Sequence, residues 1–249
     1  MSYPSGVISI PRGVYESLPR SMPLDIGFSN WGLTFDAAAL DDVRVLDNPT
    51  LDVTTELTAG CFIRTTLANT IIMSKWRAAP GGRAWFLSMS VAGLLTFQVQ
   101  GSGGADAVIS TRAVNDGRIH HVLGRFDNGF ADVWIDRVFN NSKVLATPDI
   151  DVGIADVYLA RLHAGVYNYY AGFQDENKIY GRAITDEEIK YNALDYHNPV
   201  RLGLVMHLRM EEGQGLALHD YSETGNNGVI TGADWTRVEK WELRGGANL

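Results

Sequence analysis

Three short runs in this chain keep every second position apolar, and a period of two restricts them to half-buried β-strands. They are Leu95-Thr96-Phe97-Gln98-Val99-Gln100, Ala131-Asp132-Val133-Trp134-Ile135-Asp136 and Leu204-Val205-Met206-His207-Leu208-Arg209-Met210. Successive side chains on a strand point to opposite faces, so each run offers one face to a core and one to water. The breaks between runs suit tight turns. Ala79-Pro80-Gly81-Gly82, Gly101-Ser102-Gly103-Gly104, Asn115-Asp116-Gly117 and Asp127-Asn128-Gly129 all supply residues that tolerate positive φ. Many strands separated by closely spaced turns predict an all-β sandwich or barrel.

One helix interrupts this pattern. Thr185-Asp186-Glu187-Glu188 has the spacing of a capping box, and good helix formers continue to Leu194, which places a short helix near 185–194. Residues 1–30 carry four of the eight prolines and no sustained period, and are read as an N-terminal arm. The sandwich then runs over 31–196, a C-terminal segment over 197–240 completes it, and 241–249 form a tail. At 249 residues, one large all-β domain accommodates the whole chain.

Charge narrows the partners. With 21 basic against 29 acidic residues the net charge is −8. No basic cluster supplies the counterion release that drives phosphate-backbone binding, so nucleic acid is excluded as a partner. An anionic membrane surface is equally disfavoured, and no stretch approaches the ~20 apolar residues of a spanning helix. No basic flank precedes an apolar segment at the N-terminus, so no signal peptide is read. Cys61 stands alone in the apolar run Gly60-Cys61-Phe62-Ile63 and is read as a buried spectator.

Several segments, in order, resemble the laminin G-like branch of the concanavalin A-like lectin/glucanase superfamily. Gly32-Leu33-Thr34-Phe35-Asp36 and Pro49-Thr50-Leu51-Asp52-Val53 resemble its opening strand and the "sLDv" turn after it. Ile72-Met73-Ser74-Lys75 resembles the "iisKw" strand end. Asp116-Gly117-Arg118-Ile119-His120-His121-Val122 resembles "DGxWHHV", with Ile119 in the Trp position. Asp132-Val133-Trp134-Ile135-Asp136 resembles "lyvDG", with Arg137 in place of the glycine. Gly172 to Ile184 resembles "GxIDEvrIYnRAL", but Gln174 and Asn177 are polar where the family is apolar. Buried, they would need partners. The family's "GxGxxxxDxSxxGNxG" segment matches Gly213-Gln214-Gly215, Asp220-Tyr221-Ser222 and Gly225-Asn226-Asn227-Gly228. In the family it comes first, and here it comes last, either as a circular permutation or as the start of a second domain. The resemblance implies a jelly-roll β-sandwich of two antiparallel sheets and a lectin-like binding role.

Catalysis finds less support. A retaining glucanase of this superfamily needs two carboxylates ~5–5.5 Å apart, carried in related hydrolases by a Glu-x-Asp-x-Glu run that this chain lacks. Glu211-Glu212 and Glu187-Glu188 are adjacent, so on a strand their side chains would diverge. His120 and His121 diverge for the same reason and are read as structural. The resemblance implies a structural calcium ion held by Asp175 and Asp220, with Asn226 as a third ligand; the competing reading of Asp220 and Asn226 is an Asx-type turn. For ligand binding the candidates are the loop-like Trp76 with Arg77, and Tyr167 with Tyr169, because rings stack on sugar faces.

The expectation is therefore a non-catalytic module for a glycan or a surface protein. Its competitors are a structural or attachment protein of a larger assembly such as a virion, homo-oligomeric through the arm, and a glycoside hydrolase. The expected location is extracellular or on a virion surface.

Overall fold

The computed structural model describes residues 31–77, 81–162 and 168–238; the expected arm and tail lie outside the described residues. In chain order the strands are β1 (Trp31–Phe35), β2 (Asp42–Val45), β3 (Glu56–Arg64), β4 (Thr70–Trp76), β5 (Arg83–Met89), β6 (Leu94–Gly101), β7 (Gly104–Ala113) and β8 (His120–Asp127). They continue as β9 (Phe130–Ile135), β10 (Val138–Val144), β11 (Val157–Leu159), β12 (Gly172–Tyr180), β13 (Leu204–Leu208), β14 (Ala217–Leu218), β15 (Gly228–Thr231) and β16 (Asp234–Arg237). The helix α1 (Asp186–Leu194) follows β12.

Two antiparallel sheets result. The first runs β10-β9-β8-β3-β12-β1-β16, with β13 also on β12, and the second runs β14-β15-β2-β11-β4-β5-β6-β7. The fold is the two-sheet jelly-roll sandwich expected. The alternating runs became β6, β9 and β13. In β6, Leu95, Phe97 and Val99 are fully buried while Thr96 and Gln98 are half-exposed. The core lies between the sheets and includes Leu33, Phe35, Ile63, Trp85, Phe97, Phe126 and Tyr170. Cys61 belongs to it, fully buried, and burial raises its thiol pKa.

The C-terminal segment enters both sheets. β13 pairs with β12, β15 with β2, and β16 with β1. Met206, Leu208, Met210, Leu218 and Ile230 from this segment are part of the inter-sheet core. α1 lies over the outside of the first sheet. There Ile189 joins Leu123, Trp134, Tyr180, Ile184 and Leu204 in a second apolar cluster. Its capping box forms as read: the Glu188 amide donates to Thr185 Oγ1 at 3.3 Å, and Thr185 N donates to Glu188 Oε2 at 2.8 Å. Arg182 adds a two-pronged bond to the same carboxylate at 2.8 Å on each prong.

The β9–β10 hairpin turns on two residues, Asp136 and Arg137, at φ 53° and 70°. Arg137 thus occupies a left-handed position that favours glycine. The turn is held from outside. His120 Nδ1 lies 2.8 Å from Asp136 Oδ2, its Nε2 lies 3.0 Å from Asp116 Oδ1, and Arg112 Nη2 donates to Asp136 at 2.5 Å. His120 pairs with Ile63 and His121 with Phe62, on opposite faces of the sheet.

Two predictions follow from packing and charge. Gly124 of β8 faces Phe97 of β6 across the core, and a Cβ there would stand 2.3 Å from the ring's Cγ. Gly124→Ala should therefore destabilise by about 1–3 kcal/mol through overpacking. Adding Phe97→Leu should recover part of that loss in a denaturation double-mutant cycle. Strict additivity would refute the contact. Burial lowers the His120 pKa, but the Asp136 and Asp116 carboxylates outweigh it and hold the imidazole above 6.5. Such a group stabilises fully below its unfolded pKa, and the contribution disappears as pH rises through the folded value. Melting temperature should fall from pH 6.5 upward, and His120→Gln should flatten that slope.

Candidate functional site

The chemistry of the molecule gathers along and beyond β12. Gln174, Asp175, Glu176, Asn177 and Lys178 are five consecutive polar residues, every one of them buried. Their strand cannot alternate simply, because it carries a bulge: Asp175 pairs with Phe62 of β3, yet Lys178 pairs with Gly60, one residue more on β12 than on its partner. Glu176 sits in the bulge at φ 54°. A bulge re-aims side chains, and here it turns successive polar residues to unlike surroundings. Gln174 Nε2 donates to Ile72 O at 3.1 Å across the core, and Asn177 Nδ2 approaches Met210 Sδ at 3.8 Å. These are the partners the two departures from the family pattern required, although Gln174 Oε1 and Asn177 Oδ1 accept no hydrogen bond.

Glu176 is the centre of the charged part. Its Oε2 is 2.5 Å from Lys178 Nζ and 2.6 Å from His207 Nε2, and its Oε1 is 3.1 Å from His197 Nδ1. Burial alone would raise this carboxyl; Lys178, His207 and His197 outweigh it and hold it ionised well below the usual range. Burial lowers His207 to about 4, with Lys178 adding to the effect. For Asp175, burial and the neighbouring Glu176 and Glu211 all act in the same direction, raising it well above a normal carboxylic acid.

The expected calcium ligands are not gathered into one cage. Asp220 Oδ1 accepts from the amides of His207 at 2.8 Å and Ser222 at 2.9 Å. Its Oδ2 accepts from the Asn226 amide at 2.8 Å and the Ser222 hydroxyl at 2.7 Å. These bonds outweigh burial and lower the Asp220 pKa. Asn226 Nδ2 donates to Val205 O at 2.7 Å and Thr50 Oγ1 at 2.8 Å. Asp220 and Asn226 close an Asx-type turn and staple it to β13. β13 also separates Asp220 from β12, since Leu208 pairs with Asn177 on one side and with Asp220 on the other. The three residues do not fit a single calcium ion between Asp175 and Asp220. The sequence reading found the right strand and the right turn, but the donors that do converge are Glu176, His197 and Glu211, whose ligand atoms lie within 4.8 Å of one another.

The expected sugar-stacking rings need a similar correction. Trp76 is the last residue of β4, only 9% exposed, with the Phe86 ring edge-on at 5.0 Å and the Arg83 guanidinium 5.8 Å from its centre. Tyr169 is 6% exposed beneath Arg161, which stands 4.9 Å over its ring. Arg77 donates its backbone amide to Gly82 O at 2.6 Å. Tyr167 lies outside the described residues. Trp76 is covered because β4 is an interior strand of its sheet and Arg83 stacks on the ring, and Tyr169 is covered by Arg161.

An open depression of about 450 Å³ lies instead over the Asp220–Asn227 turn. It is lined by Arg201, His219, Asp220, Tyr221, Glu223, Gly225 and Asn227. The turn shapes it. Glu223 and Gly225 sit at φ 78° and 82°, Arg201 donates to the Tyr221 carbonyl, and Asn227 Oδ1 accepts the Asp220 amide at 2.8 Å. The Tyr221 ring is held by His219 edge-on at 4.7 Å and by the Arg209 guanidinium at 4.8 Å. Tyr221 and Asn227 stood inside the motif already read from the sequence, as turn residues; Arg201 and His219 carried no sequence signal.

Residues 46–190 match the family described as the concanavalin A-like lectin/glucanases superfamily. Among solved structures, a proposed carbohydrate-binding protein from Bacteroides ovatus superposes with a TM-score of 0.66 at 16% identity. The match covers 85% of this chain and 61% of that one. The heptameric SAP-like pentraxin of Limulus polyphemus gives 0.51 at 13% identity, over 66% of this chain and 82% of the other. Domains LG4-5 of the mouse laminin α1 chain give 0.50 at 19% identity, over 65% and 44%. The chain thus spans about three fifths of the Bacteroides protein, and at these identities the likeness is one of fold. A search of the curated proteins finds no match. Since the matched stretch is more than half of the chain and carries β3 to β12, the protein belongs to the laminin G-like branch of the concanavalin A-like lectin/glucanase superfamily.

Proposed function

We propose that this protein is a non-catalytic, lectin-like module that binds a glycan in the depression over the Asp220–Asn227 turn. The observation that carries this reading is the convergence of Arg201, His219, Glu223 and Asn227 around the half-buried Tyr221. Sugar hydroxyls donate and accept hydrogen bonds together, so they suit a rim that offers a guanidinium fork, a carboxylate, an amide and an imidazole. The ring contributes a flat apolar contact with little rotamer entropy to lose. The size is that of a small-ligand site, and its openness favours weak single-site affinity strengthened by multivalency. The carbohydrate-binding designation of the Bacteroides protein, whose fold this chain shares, points the same way.

A hydrolytic reading has no comparable support. The carboxylates of Glu176 and Glu211 converge where Glu176 is only 1% exposed and held by Lys178 and His207. A substrate bond would not reach that oxygen.

A glycan array followed by calorimetry on the retained sugar tests the proposal. Tyr221→Ala with His219→Ala should abolish binding and leave the melting temperature within a few degrees of the parent. Retained affinity in the double variant would overturn the assignment.

The second reading, a structural or attachment subunit of a larger assembly displayed outside the cell or on a virion, draws on a different surface. Strand β10 ends its sheet with Val138, Phe139 and Val144 exposed, and Phe130 beside Val144 is exposed as well. An apolar edge of that kind suits a subunit contact. Size-exclusion chromatography with light scattering separates the readings, because a strict monomer would count against assembly.

A further inference from the structure

Several partly exposed cations of this molecule are neutralised where they lie: Arg44 by Asp156, Arg112 by Asp136, Lys143 by Asp106 and Arg182 by Glu188. Arg201, at the rim of the depression, is fixed but not neutralised. Its Nη1 donates to the Tyr221 carbonyl, and the rest of the guanidinium fork meets no carboxylate among the described residues. Asp220 in the same wall is already engaged. Its two oxygens accept from the amides of His207, Ser222 and Asn226 and from the hydroxyls of Ser222 and Thr224. Glu223 is the converse of Arg201. It lines the same depression, it is exposed, and its carboxylate has no hydrogen bond or ion pair among the described residues. Its backbone stands at φ 78°, a left-handed conformation that glycine or asparagine adopts more easily. Closing the turn does not call for a carboxylate there. Two opposite charges, one on a tethered side chain and one on an unfavourable turn position, therefore line one space of about 450 Å³ without pairing.

We propose that the depression takes a zwitterionic sugar, with its carboxylate on Arg201, its free ammonium on Glu223 and its ring on Tyr221. This rests on the glycan reading above and adds the chemical class of the ligand. A guanidinium fork matches a planar carboxylate, and a carboxylate accepts from an ammonium. A neutral sugar answers neither charge. A purely acidic sugar gains at Arg201 but meets repulsion from Glu223, and a purely basic one meets the reverse. Only a ligand carrying both charges is complementary to the whole rim. Each pair contributes modestly, because an open rim stays accessible to water and salt.

The test uses the full chain at neutral pH, titrated by calorimetry with a matched set of sugars. Muramic acid carries both charges, N-acetylmuramic acid only the carboxylate, glucosamine only the ammonium, and N-acetylglucosamine neither. Muramic acid should bind tightest, roughly fivefold better than each singly charged sugar, and high salt should shrink that advantage. Glu223→Asn eases the backbone, so it should melt no lower than the parent while losing the preference for the free amine. Arg201→Gln should lose the preference for the carboxylate. Equal affinities for the whole set would leave a sugar in the depression but overturn the charge assignment. Preferences that survive both variants would overturn it as well. So would absence of muramic acid binding, and the glycan array then decides separately whether any sugar binds.

Discussion

Burying the polar run of β12 is the constraint around which the first sheet is organised. A charged group taken out of water costs several kcal/mol unless it meets its opposite at close range. Glu176 and Lys178 do so within one strand, two residues apart at 2.5 Å. Residues two apart on a strand share a face, and the bulge between Asp175 and Lys178 adds a residue to the strand at this point. The rest of the neighbourhood then has to satisfy what remains: His207 from β13, His197 from the connection after α1, and Arg209 just beyond β13.

The same bulge explains the odd edge of β12. On one side β3 pairs along almost its whole length. On the other, β1 pairs with residues 172–174 and β13 with residues 177–180, so two strands from opposite ends of the chain share one edge. Asp175 and Glu176 fall between them. A continuous partner strand would have offered those two residues a regular ladder and nothing else. The gap leaves room for side chains from the C-terminal segment, which is why a motif that the family places first can serve here as the last strands of the same two sheets.

Most of the fold was legible because its physics is local and periodic. The alternation in Leu95–Gln100 and Leu204–Met210, the turn residues between runs and the Thr185 cap each specify structure over a few residues. The candidate site was legible only in part, because its geometry depends on contacts between distant segments. Asp175 and Glu176 are neighbours in sequence, and no periodic rule says which of them a bulge will aim at His197. Trp76 and Tyr169 read as exposed because polar and basic residues flank them. Arginines from elsewhere in the chain cover the rings: Arg83 lies over Trp76 and Arg161 over Tyr169. Neither arginine is a sequence neighbour of its ring, so a local reading does not show the stacking.

Arg209 connects the buried cluster to the surface. Its Nη2 is fixed by His197 Nδ1 at 3.0 Å, while its guanidinium carbon stands 4.8 Å from the centre of the Tyr221 ring. The planar group therefore has one edge in the charged cluster and one face on the ring that floors the depression. Rotating it away from either contact disturbs the other. The orientation of Tyr221 is also set by His219, edge-on at 4.7 Å, and by the turn whose closure depends on Asp220. A ring held from three sides presents a preformed surface and loses little freedom when a ligand arrives. The costly burial of charge beneath β13 is in this way coupled, through one arginine, to the rigidity of a ring that lines the depression.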